Sequence, residues 1–179
     1  MTTLSVHSMA METFVPMLGT LSALLDKGAE HMRAKGKSPD SLVEARLAPD
    51  MFPLARQVQI ACDQVKGAAA RLAGQEPPVF EDKEQTLEEL KARIRRTLDY
   101  VKGVPASAFQ GAEQRQIVLP LIDDLVLDMN AEQYVRDWAL PNFYFHVVTA
   151  YDILRNQGVE IGKRDYLGHA GYAIHPKGR

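Results

Sequence analysis

Apolar side chains recur at three- and four-residue intervals in four long stretches of the chain, the spacing of residues sharing one face of an α-helix. From about Ser8 to Lys35 the stripe is Met11, Phe14, Leu18, Leu21, Leu25 and Met32. Pro16 lies inside it and predicts a kink, because an interior proline removes one backbone hydrogen bond. Turn-forming residues from Lys35 to Asp40 end this helix and open a loop to about Asp50. A second helix starts near Met51-Phe52-Pro53, with proline in its first turn, carries Leu54, Val58, Ala61, Val65 and Leu72 on one face, and stops at Gly74.

Thr86-Leu87-Glu88-Glu89 has the form of a capping box, in which Thr86 accepts from the third helical N–H and Glu89 reaches back. It predicts a third helix with Leu87, Leu90, Ile94, Leu98 and Val101 inward, ended by Gly103-Val104-Pro105. The pattern then changes. Gln114–Pro120 and Leu125–Asp128 are short, apolar and β-branched around Asp123-Asp124, which predicts a small β-hairpin. Asn130 and Gln133 predict a short helix to about Trp138. Pro141 opens the last helix, to about Gln157, with Phe143, Val147, Ala150 and Leu154 on its inner face and Gly158 at its end.

Four amphipathic helices and one hairpin bury their stripes most economically as a mostly α, four-helix bundle with the β-hairpin before the last helix. At 179 residues the chain is expected to form a single domain over 1–179. The tail from 159 to 179 is partly apolar and is expected to pack on the bundle, with Pro176 to Arg179 fraying.

A formal net charge of −2 supplies no broad positive field, which argues against nucleic acid as a partner. The N-terminal stretch has no basic residue before its apolar run and is broken by His7, Glu12 and Pro16, unlike a secretory signal. No uninterrupted apolar run approaches the ~20 residues that span a bilayer, so no membrane is expected. The single cysteine, Cys62, excludes an internal disulfide and any CxxC motif, and the expected location is cytoplasmic.

The histidines are His7, His31, His146, His169 and His175, and no HExxH or HxxxH pair occurs. His146 lies beside the inner stripe of the last helix, with Asn142 one turn earlier on the same side, and His7 falls in phase with Met11 and Phe14. A pocket around His146, Asn142, His7 and Tyr151 is the candidate site, in which the two histidines meet across the bundle; the competing expectation for His146 is a buried histidine bonded to a carbonyl or carboxylate. Cys62 reads as a small core residue, and Asp123-Asp124 as a solvated turn. Arg93, Arg95 and Arg96 read as an outward, charge-paired face of the third helix. Trp138, Phe143, Tyr144, Phe145 and Tyr151 crowd the start of the last helix; packing into the core accounts for them, and the alternative is burial on more than one side, by the hairpin or by a second subunit.

The run from Ala139 to Arg155, ALPNFYFHVVTAYDILR, and the following GVEIGKRDYLG from Gly158 to Gly168 resemble a bacterial family, number nineteen-ninety-three of the domain-of-unknown-function series. Asp50-Met51-Phe52-Pro53-Leu54 shares the resemblance. That family is similar to the DinB and YfiT-like bundles, many of which bind a divalent metal through three histidines and include thiol-dependent transferases. The resemblance implies one ligand on the second helix and two spaced four residues apart on the last. His146 matches the later of that pair, the earlier falls on Asn142, and the second helix has no histidine. An asparagine amide is a poor ligand for zinc or nickel, so the metal site is degenerate, with His146 as its weak remnant and no cofactor expected. The resulting expectation is a small-ligand-binding or interaction module that forms a homodimer; the alternative is a metal-assisted or thiol-dependent transferase or hydrolase using His146.

Overall fold

Side-chain caps and glycines set the ends of the helices in the computed structural model, which describes residues 5–121 and 123–174. Helix α1, Val6–Ala34, starts two residues earlier than its apolar pattern indicated because Ser5 caps it through a 3.0 Å bond from Ser8 N–H. It continues unbroken through Pro16. The missing proline donor costs about 3 kcal/mol, and burial of Phe14, Met17, Leu18 and Leu21 around it outweighs that at roughly 1.5–3 kcal/mol each. Helix α2, Leu54–Leu72, ends where expected: Gly74 adopts φ +71°, and Gln75 N–H reaches back to the Ala70 carbonyl. Helix α3, Leu87–Gly103, has the predicted box, with Glu89 N–H donating to Thr86 Oγ1 at 3.1 Å and Thr86 N–H to Glu89 at 3.0 Å.

The hairpin is β1, Gln116–Pro120, antiparallel to β2, Val126–Asn130, with Ile117 opposite Met129 and Leu119 opposite Leu127. Asp123 and Asp124 both take left-handed φ, 60° and 58°, a conformation that aspartate tolerates in tight turns. Asn130 and Gln133 form the expected capping box at α4, Ala131–Gln133. The short helix and the last helix are, however, one continuous run. A six-residue π-helical turn, Tyr134–Ala139, joins α4 to α5, Leu140–Asn156. Pro141 cannot donate to the carbonyl one turn back and its ring crowds that carbonyl; the wider π turn carries the chain past it without a break.

Around the bundle the helices follow the order α1, α3, α2, α5. Phe14 meets Phe143 edge to face at 4.9 Å and Gly28 lies against Leu154, so α1 and α5 run the same way. Helices α2 and α3 also run together: Asp63 pairs with Arg93, and one turn on Lys66 and Arg96 hold the same Phe80 ring. The segment after α5 lies on the bundle. Val159 and Ile161 are buried, and the short α6, Lys163–Tyr166, lies on α1 through a 2.6 Å bond from Lys27 to Asp165. The expectations for His175 and for Pro176 to Arg179 fall outside the described residues. Helix α1 is long and apolar enough to cross a bilayer by length and composition, but Phe14, Leu18, Leu21 and Leu25 are fully buried in the core.

Because α2 and α3 are parallel, the chain between them must travel back the length of the bundle. Arg93 holds that crossover in place. The sequence pattern places Arg93 outward with its neighbours; in the structure its side chain is 1% exposed and bonds Asp63 of α2 together with Asp82, Glu84 and the Glu81 carbonyl of the crossover. It lies three residues from Leu90, at the edge of the buried stripe, and the crossover's carboxylates make that position habitable for a charge. Arg95 is exposed and pairs with Glu88, as expected. Replacing Arg93 by Met is expected to lower unfolding stability by roughly 2–3 kcal/mol, because three carboxylates lose the guanidinium they share and keep one partner each, Lys66 for Asp63, Arg56 for Asp82 and Gln59 for Glu84, whereas Arg95→Ala should stay within about 0.5 kcal/mol. Urea denaturation of both variants measures the contrast.

Candidate functional site

Helix α5 turns His146 toward the first turn of α2, where Gln57 is buried on the apolar face, three residues after Leu54. The Gln57 Nε2 amide donates to the Phe52 carbonyl at 3.1 Å, and its Oε1 lies 2.7 Å from His146 Nδ1. A carbonyl only accepts, so the Gln57 nitrogen must face Phe52 and its oxygen must face the imidazole. His146 therefore carries its proton on Nδ1 and donates it to Gln57. Burial, with the positive charge of Arg56 nearby, pushes the His146 pKa down to about 4. At neutral pH the ring is uncharged, its Nε2 lone pair is free of hydrogen bonds among the described residues, and the Phe145 ring stands edge-on to it at 5.3 Å.

The other candidates are not brought to this point. Asn142 turns its amide onto its own helix, donating to the Trp138 carbonyl at 2.8 Å in the π turn. His7 does not meet His146; its ring packs tilted against Phe109, 4.3 Å between centroids, at the start of α1. Tyr151 lies on another side of α5, 6.1 Å from Tyr166, in a shallow groove of about 150 Å³ with Val148, Asp152 and Lys163. Cys62 is fully buried, and burial raises its thiol pKa to about 12, which removes it as a nucleophile at neutral pH.

Gln57 is the residue that sequence reasoning missed. Its signal was available: a polar side chain three residues from Leu54, inside the apolar phase of α2, needs a buried partner. Arg93 carried the same signal on α3.

The family model described as "Domain of unknown function (DUF1993)" matches residues 6–167. The chain belongs to the DUF1993 family. Its fold is a DinB-like bundle: the crystal structure of a DinB family member from Shewanella denitrificans is similar at 38% identity and a TM-score of 0.83, over 97% of this chain and 94% of that one. No curated protein matches the chain.

A tri-histidine metal centre does not fit this DUF1993 chain. Asn142 presents an amide nitrogen to a carbonyl, the residue that α2 sets against His146 is the amide Gln57, and a glutamine oxygen already bonded to an imidazole N–H is a poor zinc or nickel ligand. Among the described residues no group of three or more His, Cys, Asp or Glu side chains is placed to hold a metal ion. What the site does chemically is hold one neutral imidazole in a single tautomer.

That state has a pH signature. The unfolded chain protonates His146 near the usual 6.5 while the folded chain resists until about 4, so the stability it contributes is intact above pH 6.5 and is lost as pH falls toward 4, by roughly 2–3 kcal/mol. In the His146→Asn variant, whose amide still donates to Gln57, that part of the pH dependence is expected to vanish. Unfolding free energies of both proteins from pH 7.5 to 4 give the difference.

Proposed function

We propose that this protein is an interaction module that works without a metal and pairs with a second copy of itself across the outer face of α5. One observation carries the reading. Pro141, Tyr144, Phe145 and Val148 form an outward stripe over two turns of α5, bordered on the Val148 side by α6, and Phe145 at its centre is 59% exposed. A two-fold axis through such a face lets one patch serve both copies, and aromatic residues at the centre of a contact supply most of its free energy. His146, locked beneath Phe145 by Gln57, keeps that part of α5 seated on α2. A reducing, cytoplasmic setting suits the single buried thiol.

A second reading, a metal-assisted or thiol-dependent transferase or hydrolase using His146, draws on the uncommitted Nε2 lone pair. Its difficulty is basicity: a group with a pKa near 4 is a weak base at neutral pH. Light scattering over a wide concentration range is expected to give twice the chain mass for the native protein, and Phe145→Glu is expected to weaken pairing by roughly thirtyfold or more. A native protein that stays monomeric throughout overturns the reading. Stoichiometric metal that survives untagged purification and is lost in His146→Ala favours the enzyme.

A further inference from the structure

Two arginines share a groove at the C-terminal end of α2, where β1 begins. The groove has a volume of about 230 Å³, and Arg71, Gln75, Glu76, Arg115 and Gln116 line it beside Gly74. Among the described residues neither Arg71 nor Arg115 pairs with a carboxylate, whereas Arg93 at the other arginine cluster bonds three. Each is nonetheless held in position. Arg71 donates to the buried Tyr134 hydroxyl at 3.3 Å, and Arg115 donates to the Leu72 carbonyl.

The backbone makes room for both. Gly67 lies inside α2, where glycine is unfavourable, and the Arg71 guanidinium folds back over it, so that a Cβ there would displace that flexible end. Gly74 lies against the Arg115 guanidinium, which a Cβ would approach at 3.3 Å. The negative end of α2 would repel an anion, but its last carbonyls are occupied: Ala70 by Gln75 N–H, Arg71 by Gly74 N–H, and Leu72 by Arg115. Five N–H donors on each guanidinium, one engaged, leave most of the fork unused. Glu76 contributes the one carboxylate on the wall, so the groove keeps a net positive charge.

We infer that this groove is a phosphate-binding site, in which Arg71 and Arg115 together hold a phosphate dianion, free or carried by a small phosphorylated molecule. Two guanidinium forks match the charge and the multiple oxygens of that group better than they match a single carboxylate. The inference is independent of self-pairing through α5, since the groove lies on α2 and β1.

The test is calorimetric titration of the full chain with inorganic phosphate and with glycerol 3-phosphate at constant ionic strength, with chloride and acetate as controls. Saturable binding of phosphate or of its ester, absent for the controls, is expected. Preference for inorganic phosphate assigns the site to the free ion, and preference for the ester assigns it to a phosphorylated molecule. Arg71→Gln and Arg115→Gln should each weaken binding by about tenfold or more. Because both arginines also support the fold, Glu76→Gln is the companion variant: it removes the opposing charge from an exposed position and should tighten binding by about twofold or more. Absence of binding in the native chain, binding equal to that of acetate, or an affinity unchanged in Arg115→Gln and Glu76→Gln overturns the inference.

Discussion

The path of the chain between α2 and α3 depends on one buried guanidinium. Two neighbouring helices joined by a tight turn would run antiparallel; here they run parallel, and the connecting segment crosses the length of the bundle with no regular hydrogen bonding of its own. Such a segment loses conformational entropy on ordering and gains little apolar burial in return. Arg93 supplies the compensation, drawing Asp82, Glu84 and the Glu81 carbonyl onto α3 while Asp63 ties the same group to α2. With the crossover anchored, Thr86 stands at the start of α3 and its capping box can form. Asp40, from the loop after α1, accepts from Leu87 N–H at 3.0 Å and closes the same end.

Helix α2 is the element on which both polar contacts converge. Much of its buried surface is small, with Ala61, Ala68, Ala69 and Ala70 allowing close approach but offering few large side chains to fix a rotational setting. Apolar contact between smooth surfaces tolerates sliding; a directed hydrogen bond does not. Arg93 binds α2 through Asp63 from the α3 side, and His146 binds it through Gln57 from the α5 side. The two contacts resist rotation of α2 in a way that its alanines alone cannot, which is a role for buried polar groups in specifying packing.

How much of this the sequence disclosed follows from the range of the forces involved. Helix periods, the Thr86–Glu89 and Asn130–Gln133 boxes, the Gly74 and Gly158 ends and the hairpin at Asp123-Asp124 are local, set by residues within a few positions of one another, and they were legible. The continuation of α4 into α5 was not, because proline usually marks a boundary and the π turn that accommodates it has no composition of its own. Arg93 and Gln57 were harder still. Their partners lie on other elements, and a charged or amide side chain at the edge of a stripe looks solvent-exposed until the segment that covers it is known. The same distance dependence separates the candidate residues: His146 and Asn142 share a helical phase, yet neither their phase nor their chemistry reveals that Asn142 turns back to Trp138.

The histidine of α5 is the clearest case of one side chain being assigned chemistry by its neighbours. An imidazole facing a metal uses a lone pair on one nitrogen and a donor on the other, and His146 has that arrangement, with Nδ1–H on Gln57 and Nε2 unengaged among the described residues. The arrangement alone does not make a metal site, because affinity comes from several anionic or imidazole donors converging, and here the neighbours are the amide of Gln57 and the guanidinium of Arg56. Arg56 also disfavours any further positive charge, whether a proton or a divalent cation. The same neighbours stabilise a neutral ring in one tautomer, and a ring held that way can anchor α5 against α2 until the pH falls to about 4. Within this DinB-like bundle, the neighbours of His146 therefore make it a packing contact between α5 and α2, with Phe145 exposed on the adjoining face.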